Sequence, residues 1–358
     1  MKLIGKILCY PLLLVNAIVA VLLIASGWSS FLFVKSFPVI SLLGMAFPVI
    51  LALNLLFILF WLIFHKRGMW LSVTAVIAVI VPLFWYCPLN IRNTDSGTDS
   101  GQDITLLSYN IFGFCIASGN REDSTNPIIR YIADADADIV CLQESYSKYY
   151  PKARSCCIEN LPELKYSYSN KTNTIVSRWP ILDSREIKFS DSGNGLLYCR
   201  LLKDNDTIAL YNCHLQSFEL KQDEIDGYNR LIANPNDSAS YREAKSVLKK
   251  LKTASAKRAL QADTILTMLN AETAKYVILC GDFNDTPLSY SRRVIAKKLT
   301  DAYVSCGFGP GISYNLNRLY FRIDHVFCSG NITPLSCRID KSIKESDHYP
   351  VITHLRLQ

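Results

Sequence analysis

From Met1 to Ile91 the only charged side chains are Lys2, Lys6, Lys35, Lys66 and Arg67, and the first acidic residue is Asp95. This absence of charge limits what the segment can fold into. Three apolar runs fill it, roughly residues 7–24, 39–64 and 70–85, each near the length of a helix that crosses a hydrocarbon core. Helices buried in a soluble bundle seldom lack charge on every face, so three membrane-spanning helices are expected over residues 1–91. The first run taken alone has the length of a cleaved signal peptide. Two further spans behind it favour an uncleaved anchor.

Orientation follows from the basic residues, because Lys and Arg near span ends stay on the cytoplasmic side. Lys2 and Lys6 precede the first run and Lys66 and Arg67 separate the second from the third, while the first loop holds only Lys35. The third span then leads outward, which places everything after about Arg92 outside the cytoplasm. A miscount of one span would reverse this. The net charge of +7 belongs largely to these spans: past them 33 basic residues face 31 acidic ones. Nucleic acid stays open as a partner, but charge gives it no support.

Residues 92–103 read RNTDSGTDSGQD, a polar, glycine-containing linker. A second domain is expected over 104–358, built from short β-rich runs: ITLLSYNI, DIVCLQE, TIVSR, GLLYCRLL, TIALYNCHL, YVILCGDF, YFRIDHVFC and VITHLRL. Helices interrupt them near Asn126 and from about Ala256 to Leu269, too seldom for a parallel sheet, so two packed, mostly antiparallel sheets with outer helices are expected. Residues 216–257 read as an insertion, a lid or a surface excursion, with a basic helical stretch from Arg242 to Lys252. Cys141, Cys199, Cys213, Cys280 and Cys328 lie inside strand-like runs as small hydrophobes. Cys156, Cys157, Cys306 and Cys337 are left as candidates for bridges, and no CxxC pair suggests zinc.

Several of these strands end abruptly in a carboxylate, amide or imidazole: Asn110, Glu144, His214, Asp282 with Asn284, Asp324 with His325, and Asp347 with His348 ahead of the last strand. Each alone has an ordinary reading as a turn cap or a buried, hydrogen-bonded histidine. Together they resemble, in order, the motifs of the endonuclease/exonuclease/phosphatase superfamily: LLSYN, LQE, IVSRWPI, NCHL, GDFN, RIDHVF and SDHYPV, spanning about Ile104 to Leu357. The superfamily includes deoxyribonuclease I, apurinic endonucleases, neutral sphingomyelinases and inositol polyphosphate phosphatases. The resemblance implies an α/β fold, a four-layer sandwich of two mostly antiparallel sheets flanked by helices.

It also implies a chemistry. A phosphoester repels an attacking oxygen until a hard cation neutralises it, and carboxylate and amide oxygens suit magnesium, with manganese as a substitute. By the resemblance Asn110, Glu144 and Asp347 hold the metal, Asp282 polarises the attacking water, Asn284 holds a phosphate oxygen, and His348 backed by Asp324 forms an imidazole–carboxylate pair. A histidine acts as acid at the leaving oxygen, His214 is counted among the catalytic residues, and Arg258 and His325 are expected near substrate. A histidine at 214 resembles the deoxyribonuclease, sphingomyelinase and phosphatase branches rather than the apurinic endonucleases, which carry an amide there. The expected function is therefore a membrane-anchored phosphoesterase acting on a lipid or small phosphoester. The alternatives are an extracytoplasmic nuclease and a non-catalytic membrane receptor that keeps the fold. Oligomeric state is not legible.

Overall fold

The computed structural model describes residues 2–32, 39, 41–91, 103–115, 122–189, 192–218, 223, 224, 226, 230, 238–316 and 320–358. Most of the expected linker, residues 92–102, lies outside them, as does much of the stretch from 219 to 237.

Among the described residues the N-terminal part has four α-helices: α1 (Lys2–Gly27), α2 (Ser41–Phe64), α3 (Met69–Ala78) and α4 (Ile80–Tyr86). Tyr10–Gly27 and Leu42–Phe64 are long and apolar enough to cross a membrane; α3 and α4, bent by 62°, make a third span if taken as one. The bend has a chemical cause. Pro82 lacks the N–H that would bond back to the Ala78 carbonyl and its ring crowds that oxygen. The released carbonyl accepts the Trp28 indole N–H at 3.0 Å. Buried polar side chains join the helices where an unmet partner would be costly: Ser72 Oγ donates to Asn16 Oδ1 at 2.6 Å, and Asn54 Nδ2 to the Val19 carbonyl at 3.2 Å.

Among the described residues the second part contains two six-stranded sheets. The strands are β1 (Asp103–Asn110), β2 (Ile139–Gln143), β3 (Tyr166–Ser169), β4 (Thr174–Ser177), β5 (Ile181–Lys188), β6 (Gly195–Lys203), β7 (Asp206–His214), β8 (Tyr276–Asp282), β9 (Thr300–Asp301), β10 (Asp324–Cys328), β11 (Ile332–Ile339) and β12 (Val351–Leu357). One sheet runs β11-β12-β1-β2-β4-β3 and the other β5-β6-β7-β8-β10-β9. Pairing is antiparallel except for β1 with β2 and β7 with β8. Helices supply the crossovers those two pairs need: α5 (Pro127–Asp134), capped by the Asn126 side chain on the Ile128 N–H, lies between β1 and β2, and α7 (Ser238–Ala271) between β7 and β8.

Alternation along each strand builds the layers. Ile104 and Leu106 of β1 enter a core between the sheets with Leu210 and Ile278, while Leu107 and Tyr109 face outward onto Ile128 and Ile132 of α5. α6 (Ala153–Glu159) covers the same outer face through Cys157. On the far side Ile265 of α7 and Ile295 of α8 (Tyr290–Ile295) pack over Tyr211 and Leu279. The result is a helix–sheet–sheet–helix sandwich whose inner strands are buried on both faces, with edge strands β3 and β5 largely exposed. A short α9 (Ala302–Cys306) closes one end.

Two details differ from the sequence reading. α7 is one helix of 34 residues that takes in the basic stretch from Arg242. The joining residues Thr253–Lys257 include no helix breaker, and Ala and Lys on either side favour continuation. Cys156, Cys157, Cys306 and Cys337, held open as candidates for bridges, are all free thiols.

Candidate active site

Strand register gathers the site. Asn110 lies opposite Gln143 in the parallel β1–β2 pair, so the next residue, Glu144, emerges beside it. In the other sheet Asp282 lies opposite both His214 and Asp324. The ends of both sheets thus meet at one edge, joined by Asn110, whose Nδ2 donates to Glu144 Oε1 at 3.1 Å and to Asp282 Oδ2 at 3.0 Å. Beneath this joint a buried amide network ties the sheets together. Gln143 Nε2 donates to Asn212 Oδ1 at 2.7 Å, and Asn212 Nδ2 donates to the Leu142 and Thr174 carbonyls, each at 3.0 Å. Neither amide was singled out from sequence, although both sit inside quoted motifs, LQE and NCHL.

Backbone strain concentrates here. Phe112, Glu144 and Asn284 have φ of 47°, 50° and 50°, a region non-glycine residues avoid. Such conformations persist only where surrounding bonds impose them. Gly113 donates its N–H to the Glu144 carbonyl at 2.8 Å, and Asn284 donates its own N–H to Asp282 Oδ1 at 2.7 Å.

Asp282 is the centre. Its side chain is 1% exposed, and His214 Nε2 and His348 Nε2 each stand 3.6 Å from its Oδ2. Burial raises its pKa, opposed by the adjacent His348. His348 Nδ1 donates to Asp324 Oδ2 at 2.8 Å. Burial alone would lower the His348 pKa, but the Asp324 and Asp282 carboxylates override it and hold it at about 10. His214 is buried with neither ring nitrogen hydrogen-bonded, its Nε2 3.7 Å from Glu144 Oε1. Such an orphan at a cleft wall needs an outside partner.

Asp282, Asp324 and His348 bring their ligand atoms within 4.8 Å of one another, a spacing that would suit a metal. Chemistry argues against it. With Nδ1 committed to Asp324 and the ring protonated, His348 offers no lone pair, and the triangle already holds its positive charge. The oxygen-rich side is the better fit. Glu144 keeps 36% of its side chain exposed, and Asp347 is raised in pKa first by burial, with the Glu144 and Asp282 charges adding. Glu144 and Asp347 thus place two interacting carboxylates on this side, a charge that a hard divalent cation would neutralise, and Asn110 borders them with its Nδ2 on Glu144 and its Oδ1 accepting from the Phe112 N–H at 3.2 Å.

Arg258 and His325 lie in the layer behind the cleft. Arg258, 1% exposed, stands 3.2 Å from Asp285 Oδ2 and donates to the Gln216 carbonyl at 2.9 Å. His325 packs on Phe283 with ring centroids 5.1 Å apart and reaches the Asp285 carbonyl at 3.1 Å. Burial pushes its pKa from 6.5 down to about 4. A depressed folded value means that the unfolded chain takes the proton first, so stability is full above 6.5 and falls between 6.5 and 4. The loss expected is on the order of 3 kcal/mol. Denaturation midpoints of wild type and His325→Phe should diverge across that window, with the variant the flatter; parallel curves would contradict this.

Residues 107–348 match the Endonuclease/Exonuclease/phosphatase family. The chain belongs to that family. Residues 6–86 match a second one, a domain of unknown function. A candidate neutral sphingomyelinase of Drosophila melanogaster is 26% identical over 257 residues, 64% of this chain and 52% of that protein. This chain therefore spans about half the length of that relative. Among solved structures, a family member from Beutenbergia cavernae superposes with a TM-score of 0.52 at 16% identity, covering 72% of each chain. TDP2 of D. rerio, complexed with a single-strand DNA product, gives 0.51 at 16% identity over 71% of this chain and 99% of that one. At such identities these structures speak for the fold alone, a two-sheet sandwich common to family members.

Proposed function

We propose that this chain is a membrane-anchored, magnesium-dependent phosphoric ester hydrolase that directs water at phosphorus. The observation that carries this reading is the cleft itself: a charged His348–Asp324 pair, the Asp282 carboxylate and an orphaned His214 around one space, beside an oxygen-rich cation position. Glu144, Asn110 and Asp347 would hold magnesium, or manganese in its place, and the bound ion would neutralise the phosphoryl charge. The rest belongs to the side chains. Asp282 accepts the proton of the attacking water, burial raising its basicity against the opposing charge of His348. Asn284 Nδ2, now 3.2 Å from Asp282 Oδ2, fixes that carboxylate and can turn to a phosphate oxygen. His348 donates from Nε2 to a phosphoryl oxygen, while His214 protonates the leaving oxygen. Turnover of a soluble phosphodiester by the full-length protein, lost on chelation, tests the reading; undiminished turnover under chelation would sink it.

The three-span reading, with Lys66 and Arg67 inside, sets the catalytic domain outside the cytoplasm. A reporter active only outside the cytoplasm, fused after Gln358, should give signal. Signal only from a cytoplasmic reporter would reverse the orientation and favour a nucleic-acid substrate.

A further inference from the structure

The apolar helices do more than anchor. They pack against segments that leave or enter the sheets at the catalytic edge. Leu288, six residues beyond Asp282, is 1% exposed and sits in a cluster with Leu23 of α1, Phe47 of α2 and Val79 beside α3. Gly44 makes the close approach possible: a Cβ there would lie 2.7 Å from Ser29 Oγ and 3.6 Å from Leu288 Cβ. Arg293 donates to the Ser30 carbonyl at 2.9 Å and stacks on Phe31. Arg322, two residues before Asp324 and 2% exposed, donates to the Trp85 and Tyr86 carbonyls at the C-terminal end of α4, where helix carbonyls lack intrahelical partners.

The level of this joint is marked by aromatic rings. Trp28, Phe31 and Trp85 pack on one another there, with Trp28 and Trp85 centroids 6.0 Å apart. Trp and Tyr gather where the hydrocarbon meets the headgroups. Six residues of chain reach at most about 20 Å, so Asp282 lies within that distance of a side chain seated among the spanning helices.

We propose that the helices dock the cleft against the headgroup layer, and that the phosphoester it cleaves is carried by a phospholipid of the same bilayer. This rests on the hydrolase reading above. In the step, water oxygen bonds to phosphorus, one ester P–O bond of the lipid breaks, and the departing alcohol oxygen takes a proton. A domain attached only through its linker would sample many orientations. A docked cleft instead sees surface lipid at a high, fixed effective concentration.

The test uses the full-length protein in vesicles of phosphatidylcholine, phosphatidylglycerol and sphingomyelin with magnesium, assayed on those lipids and on a soluble chromogenic phosphodiester. Wild type should cleave vesicle lipid. Leu288→Asp should lose at least about tenfold of that rate, as effective concentration is lost, while keeping the soluble rate within about twofold. Gly44→Leu, which lies in the helices and not in the catalytic domain, should act the same way and decides the matter should Leu288→Asp fail to fold. Cleavage of the soluble ester but not of lipid, or undiminished lipid cleavage by Gly44→Leu, would overturn the docking inference and leave the hydrolase reading standing. No turnover of either substrate by wild type would overturn both.

Discussion

His348→Ala should lower kcat by roughly a hundred- to a thousandfold, the loss typical when one fixed donor to a developing oxyanion is removed. The imidazole does two things at once. Its Nδ1 bond of 2.8 Å orients the ring on Asp324, and its charge stands 3.6 Å from Asp282 Oδ2. Alanine removes the donor and leaves two buried carboxylates facing each other without compensation, which also raises the pKa of Asp282 and weakens it as a base. The decisive reading is the split between constants. A fall in kcat with KM little changed places His348 at the transition state, whereas a rise in KM alone would assign it to substrate binding.

Glu144→Gln is expected to abolish turnover at limiting magnesium while leaving the fold intact. The substitution keeps the volume, and the strained backbone at φ 50° stays held by the Gly113 bond to the Glu144 carbonyl. What disappears is one negative charge from an oxygen cluster that would hold the cation, so part of the activity should return at high magnesium. Activity near wild type at limiting magnesium would show that the ligand assignment is wrong. A far-ultraviolet spectrum matching wild type separates this loss from unfolding.

The sandwich was legible because its inner strands, such as β1, β2, β7 and β8, are largely buried and read as hydrophobic runs that end in a polar residue, whereas the exposed edge strands β3 and β5 gave no such signal. Asn110, Glu144, His214, Asp282 and His348 stood out for that reason, and the structure brings them to one edge. The parallel pairs β1–β2 and β7–β8 were not legible, since a helix between two strands does not by itself say which strands are neighbours. Strand alternation turns His325 away from Asp324, into the aromatic layer with Phe283, an orientation that its neighbour's role does not announce. Contacts such as Arg322 to Tyr86 join residues 236 apart, and no local pattern announces them. The docking of the helices on the catalytic edge is visible only in three dimensions.

Metal-dependent attack of water at phosphorus leaves its mark when the reaction is run in heavy-oxygen water with full-length protein and magnesium. One labelled oxygen is expected in the phosphorylated product and none in the alcohol, with the label lost on chelation and in Asp282→Asn. Label in the alcohol, or labelling that proceeds undiminished without a divalent metal, would contradict it.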